Sequence, residues 1–426
     1  MLARFINPDR GMWPNLTARA TFSDKQIEDR VRDILSQVRE RGDDALRSLA
    51  EQIDGVRLDS LQVTEQEIER ARGMVSEKLK EAISTAIGNI AAFHRAQLRE
   101  PVDMQTMPGV RCIQRTVPIQ RIGLYVPGGS APLFSTVLML AVPARVAGCR
   151  NIVLCTPCSR EGEVAAEVLY AAEQCGVDKI FKIGGAQAIA AMGYGTQTVP
   201  RVDKIFGPGN RYVTKAKQML SVADVAIDMP AGPSEVMVLA DDSADAAFVA
   251  SDLLSQAEHG PDSQALLVCD NVRFAEQVER QLERQLAALP RAGIASRALE
   301  NSRAIVFDSK DDMVDFANAY GAEHLIISMH DAWKVAGRIT AAGSVFIGNY
   351  SPESAGDYAS GTNHTLPTCG WASAFSGVNT DSFVRKITYQ ELSREGLAAL
   401  APTITAMAEA EGLDAHGRAV KIRLSE

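Results

Sequence analysis

The sequence contains no basic run, no long apolar run and no paired-cysteine framework. Fifty-three acidic against 44 basic residues give a formal charge of −9 over 426 residues, which argues against nucleic acid or an anionic membrane as the main partner. No segment approaches the ~20 consecutive apolar residues needed to span a bilayer, and Met1–Pro14 lacks the apolar core of a secretory leader. The seven cysteines are odd in number and scattered, which does not suit a secreted disulfide scaffold. A reduced, cytoplasmic protein is expected. A true G-x-G-x-x-G is also missing, and with it the dinucleotide-binding fingerprint.

What is present is ordinary globular composition, 46% hydrophobic and 23% charged, in a chain long enough for two or three domains. The first hundred residues read as a helical arm. Ser23 can cap a helix running to about Arg41, with Gly42 as its stop, and Thr64 to Gln97 holds two more helices, the second starting near Ser76. His94 falls in a polar helical context and reads as a surface residue.

Short β-rich runs then start at Ile122, Asn151, Lys179 and Asp203, 29, 28 and 24 residues apart, the spacing of strand–helix units in a parallel sheet. A second set lies near Val236–Leu239, Ala265–Val268, Ala304–Phe307, Leu325–Ser328 and Ser344–Ile347. The fold class is therefore α/β, with two Rossmann-like but incomplete parallel-sheet domains, a helical N-terminal arm and a small helical C-terminal tail. The domains divide near the turn Met229–Ser234. The expected partition is an extension over 1–20, one α/β domain from 21–124 with 236–374, a second over 125–235, and a tail over 375–426. Pro402 is expected to begin a tail helix ending near Gly412.

In the first sheet, strand ends meet Gly128-Gly129-Ser130, Gly184-Gly185-Ala186 and Gly207-Pro208-Gly209-Asn210. Such turns let backbone amides approach a phosphate, although any parallel sheet needs glycines at its turns. Both readings stand.

The segment Ser243–His259 reads as a helix capped by Asp242 or Ser243 and ended by Gly260-Pro261. Val249, Leu253 and Gln256 share one stripe of it, so Gln256 is a polar side chain where a buried apolar one belongs. His259 projects from the same side of the last turn. An imidazole and a carboxamide converging at a helix C-terminus suit a cation, and suit a hydrogen-bonded cap as well. Glu323 and His324 sit together at the start of a strand, an acid/base pair by type but at the opposite end from the usual ligand crevice. Ser351–His364 reads as a loop of small residues carrying Glu353, Asp357 and His364, and Glu411 and His416 follow the last tail helix. Cys155 and Cys158 read as free cysteines without a redox context, and His330 as exposed.

The runs IGLYVPGGSAPLFSTVLMLA, KIFGPGN, DMPAGPSEV, SDLLSQAEHGPDSQ, GAEHLII, AGSVF and SPESAGDYASGTNH resemble the histidinol dehydrogenase family, from about Ser23 to the C-terminus but for Cys369 to Thr380. The resemblance implies a zinc enzyme that oxidises L-histidinol to L-histidine through L-histidinal with two NAD+ and one water. It implies Gln256, His259, Asp357 and His416 as zinc ligands and Glu323 with His324 as the acid/base pair. Ser234, Glu411, His324 and the zinc ligands would touch substrate, with His364 nearby, and Tyr125, Gln187 and Asn210 would touch NAD. It further implies a homodimer whose C-terminal tail reaches into the partner's site, and a reaction needing no cysteine. Two rivals remain: a relative acting on another chelating alcohol, and an inactive binding protein.

Overall fold

The protein is described from a computed structural model over residues 2–19, 25–128, 132–229 and 232–425. Ser23 as a helix cap, the Gly129-Ser130 part of the first glycine turn and Pro230-Ala231 of the boundary turn lie outside these residues. Two parallel sheets organise the chain, as the strand spacing requires. The smaller has five strands in the spatial order Lys179–Lys182, Asn151–Thr156, Arg121–Tyr125, Lys204–Phe206 and Ala226–Ile227. The larger has six, in the order Ala3–Ile6, Arg303–Val306, Gln264–Cys269, Glu235–Ala240, Ala322–Ser328 and Ala342–Ile347.

Alternating side chains feed two separate cores on the faces of each sheet, because successive strand residues point to opposite sides. In the smaller sheet Ile122, Leu124, Ile152 and Leu154 enter one core, while Val153, Cys155 and Phe181 enter the other. In the larger sheet Val236 and Val238 face one way and Met237 and Leu239 the other.

The arm forms as its caps dictate. Helix Lys25–Arg41 stops at Gly42, whose φ of 56° is left-handed. Thr64 and Glu67 make a reciprocal capping box for Glu65–Met74, and Ser76 caps Glu77–Arg95.

The structure corrects the expected partition. Ile27, Val31 and Leu35 pack on one face of the five-stranded sheet, and Ile83, Ala86 and Ile90 on the other. The arm therefore sandwiches the 121–227 sheet and does not join the 235–347 sheet with which it was grouped. The 1–20 extension adds strand Ala3–Ile6 to the six-stranded sheet, parallel to Arg303–Val306.

The tail is helical over Arg394–Ala410 and Asp414–Leu424, but it is preceded by a strand, Val384–Leu392. That strand pairs antiparallel with Val110–Pro118 in a three-stranded sheet completed by Val102–Met107. Pro402 sits inside the first tail helix and does not begin it. His94 is buried, not at the surface, and its Nδ1 lies 2.8 Å from the Ile90 carbonyl oxygen. Among the described residues, no helix is long and apolar enough to cross a membrane.

Candidate active site

The polar cluster of the larger sheet lies at the N-terminal ends of two adjacent inner strands. Glu235 opens one, and Glu323 and His324 occupy the second and third positions of its neighbour, with His324 in register with Val236. The strand-start position of Glu323-His324, which counted against it in sequence, is where this site is built.

The helix beneath is Ala246–Ala257, capped by Asp245 and not by Asp242 or Ser243. Gln256 is fully buried on it, and His259 follows at its open end. With its amide nitrogen facing the acceptors, Gln256 donates to Glu353 Oε1 at 2.9 Å and to the Glu235 carbonyl at 3.3 Å. Its oxygen then accepts from His259 Nδ1 at 3.1 Å. The segment expected as a loop contributes a short helix, Glu353–Tyr358, that turns Glu353 and Asp357 inward. His364 Nδ1 is 2.9 Å from the Asp357 carbonyl oxygen.

His324 is the centre of the cluster. Its Nδ1 lies 3.3 Å from the Glu235 carbonyl oxygen, 3.6 Å from Glu353 Oε1 and 3.7 Å from Glu323 Oε2. A proton on Nδ1, donated to that carbonyl, leaves Nε2 as the basic nitrogen. Nε2 is buried without a hydrogen-bond partner, 3.7 Å from Asp357 Oδ1. Burial pushes the His324 pKa down to about 3 and that of His364 to about 4, so both rings are neutral near pH 7.

The acids shift the other way. Burial raises Glu323, Glu353 and Asp357 well above the ordinary carboxylate range, and their mutual repulsion adds to the rise for Glu323 and Glu353. The Glu235 N–H, donating to Glu323 Oε2 at 2.8 Å, works against the rise by favouring the ionised form.

These donors fit a divalent cation. Two acceptors, His324 Nε2 and Asp357 Oδ1, face each other with no donor between them, and Glu353 Oε2 is a second buried atom without a partner. His324, Glu353 and Asp357 form one compact ligand-type group. Gln256 and His259 supply an amide oxygen and an imidazole nitrogen beside it, an N/O set that zinc accepts. A second compact group, Asp241, Asp242 and His330, is already consumed: Asp241 accepts from Ser243, Lys310 and the His330 amide.

The structure does not bring every expected residue here. Gln256, His259, Glu323, His324, Asp357 and His364 converge, and Ser234 directly precedes Glu235. Glu411 and His416 do not, since both are exposed in the tail. The expected nucleotide residues gather instead at the C-terminal edge of the five-stranded sheet. There the strand order reverses between Arg121–Tyr125 and Lys204–Phe206, the place where open parallel sheets bind ligands. The Tyr125 hydroxyl accepts from Gly185 N at 3.1 Å, at the start of helix Gly185–Tyr194, which no side chain caps. Gln187, in the first turn, is buried and donates to Asp54 at 3.4 Å. Asn210 caps helix Arg211–Ser221 across the reversal point. Gly207, at φ 124°, passes so close to strand Arg121–Tyr125 that a Cβ would lie 2.1 Å from the Tyr125 carbonyl oxygen. That turn requires glycine whether or not a phosphate binds there.

Sequence reasoning missed the parts played by Glu353, Glu235 and Arg19. Glu353 was visible only as one of two acids in an expected loop, and Glu235 lay just before the expected strand near Val236–Leu239 and carried no signal of its own.

Two parallel-sheet lobes, one with an acid/base pair in a cation-competent pocket and the other with glycine turns and helix starts at a strand-order reversal, define an α/β oxidoreductase. The chain belongs to the histidinol dehydrogenase family, whose model matches residues 17–424. It is 54% identical to the histidinol dehydrogenase of Bacteroides thetaiotaomicron over 418 residues, 98% of each chain. It is also 54% identical to that of Vibrio vulnificus over 398 residues, 93% of this chain and 91% of the other. The crystal structure of histidinol dehydrogenase from Elizabethkingia anophelis superposes with a TM-score of 0.97 at 48% identity, covering 99% of this chain and 98% of that one. The family match runs through 369–380, which the sequence motifs alone had left unassigned.

Proposed function

We propose that the protein oxidises L-histidinol to L-histidine through L-histidinal, passing two hydrides to two NAD+. The observation that carries this reading is the neutral, buried His324, whose Nε2 is free and faces the cation-competent pocket beside Glu323. Gln256, His259 and Asp357 would hold zinc, with His416 of the partner subunit as the fourth ligand. When bound, zinc supplies a fixed positive centre that holds and orients an imidazole and an α-amine in one pose.

His324 Nε2 takes the hydroxyl proton as hydride leaves the carbinol carbon for the first NAD+, giving the aldehyde and NADH. Glu323, whose burial makes its carboxylate a stronger base than an exposed one, takes a proton from water as the water oxygen adds to the aldehyde carbon, while protonated His324 returns its proton to the aldehyde oxygen, giving the hydrate and a neutral His324. His324 then accepts the proton of the resulting hydrate as the second hydride leaves for the second NAD+, giving the carboxylic acid. Tyr125, Gln187 and Asn210 would position the dinucleotide at the strand-order reversal. An uncapped helix start there favours a pyrophosphate.

The homodimer belongs to this reading. The tail helices pack chiefly on each other and leave Met407 and Ile422 about 60% exposed, apolar surface that a second copy would cover. The same docking would carry Glu411 and His416 into the partner's pocket. A cytoplasmic location follows from the biosynthetic role.

The test is NADH formed per L-histidinol consumed, before chelation, after it, and on adding zinc back. Two NADH, lost on chelation and restored by zinc, is the expected result. One NADH would show that the aldehyde escapes and that Glu323 does not act as proposed. None, from folded zinc-loaded dimer, would move the reading to a related alcohol or a binding protein.

A further inference from the structure

Three groups of the site hang on one residue that is outside the reaction. The backbone N–H of Glu235 holds Glu323 Oε2 at 2.8 Å, and its C=O faces His324 Nδ1 at 3.3 Å and the Gln256 amide nitrogen at 3.3 Å. The carbonyl fixes which nitrogen of His324 carries the proton, and the N–H fixes where the Glu323 carboxyl sits. Any shift of this peptide moves both members of the acid/base pair.

The side chain of Glu235 is itself tied down. Arg19 donates to both its oxygens, Nε to Oε1 at 3.0 Å and Nη2 to Oε2 at 2.8 Å, and the Cys369 amide donates to Oε1 at 2.8 Å. Arg19 is itself fixed. It donates to the Thr17 and Tyr320 carbonyls at 2.9 and 2.8 Å, and its guanidinium lies 3.6 Å above the Tyr320 ring. Tyr320 in turn donates to Gln264, which is in register with Glu235 on the neighbouring strand. The carboxylate is 1% exposed, so its charge is held by these partners and not by water.

A buried ion pair adds little net stability compared with apolar side chains of the same volume, while a bidentate fork fixes geometry. We infer that Arg19, from the N-terminal extension, and Glu235 are positioning residues that lock the Glu235 peptide and thereby set Glu323 and His324. This rests on the oxidation proposed above. The N-terminal segment becomes part of the catalytic apparatus through this peptide.

The experiment uses the full-length zinc-loaded protein and the variants Arg19→Met, Arg19→Lys and the paired replacement Arg19→Met with Glu235→Met. Removing one partner alone leaves a buried charge without its counterion, and the paired replacement avoids that cost to folding. The expected result for Arg19→Met and for the pair is a kcat lower by roughly tenfold to a hundredfold, from sub-ångström displacement of the reacting groups. Zinc content and the histidinol KM should stay within about twofold of wild type, because three of the four proposed zinc ligands, His259, Asp357 and His416 of the partner subunit, do not bond to this peptide. NADH per histidinol should fall below two as aldehyde escapes before Glu323 can activate water, and Arg19→Lys should recover part of both kcat and stoichiometry.

A loss of active protein alone would lower kcat at unchanged stoichiometry, and that result overturns the proposal. So does unchanged kcat, or a loss of zinc or KM with kcat intact. A crystal structure of the paired variant gives a readout independent of activity. Glu323 still bonded to the residue 235 amide, with His324 in place, would overturn the positioning role even if the wild type turned over no histidinol. Displacement of both would support it in that same case, while the failure of wild-type turnover would count against the proposed reaction.

Discussion

Replacing Asp252 by Asn tests the electrostatics of the pocket wall. Asp252 lies on helix Ala246–Ala257, 8% exposed, and burial alone pushes its pKa from 3.8 to about 7. Because the native state binds this proton more tightly than the unfolded chain, its contribution is full below pH 3.8 and lost as pH rises through about 7. A shift of about 3 units corresponds to about 4 kcal/mol, the most that the ionised carboxylate costs the folded protein above pH 7. Asn keeps the shape and cannot ionise. Urea unfolding of chelated wild type and Asp252→Asn should therefore give similar stabilities near pH 4 and a gap opening through pH 5–7, reaching about 2–4 kcal/mol in favour of the variant by pH 8. The buried histidines titrate equally in both proteins and cancel in the difference. Parallel stability curves, or a gap that narrows as pH rises, would refute the reasoning.

His324→Asn should lower turnover by at least about a hundredfold, as expected for loss of a general base and read by steady-state NADH formation. Cys112→Ser and Cys149→Ser should keep turnover near wild type. Burial pushes the Cys149 thiol up to about 11, which makes it a poor nucleophile, and a hundredfold loss in either variant would contradict the scheme. If the tail crosses to a partner, mixing inactive His324→Asn with inactive His416→Asn and allowing subunit exchange should restore about a quarter of the sites. Half the dimers would then be mixed, each with one intact site, and no recovery would count against the shared site.

Much of the fold was legible because it is written in local pattern. The 24- to 29-residue spacing of strands, the Thr64–Glu67 box and the Gly42 stop each depend on a few neighbouring residues. The strand Val384–Leu392 was not legible, because its nine residues alternate only weakly and take their conformation from Val110–Pro118, more than 260 positions away. Glu353–Tyr358 hid for a related reason: small residues signal a loop, and only packing against the pocket makes them a turn of helix. His94 looked polar-facing until tertiary contacts closed over it.

The sequence by itself determined that this is an α/β protein with two parallel-sheet units, and which residue types were available for acid/base and metal chemistry. Tertiary structure decided their arrangement. It placed the acid/base pair at the N-terminal edge of one sheet and the glycine turns at the C-terminal edge of the other. It wrapped the helical arm around the second sheet and joined Arg19 to Glu235 across 216 positions. The physical reason is range. Caps, periodicity and turns are set within a few residues, whereas burial, pKa shifts and charge pairing arise only when distant segments exclude water together.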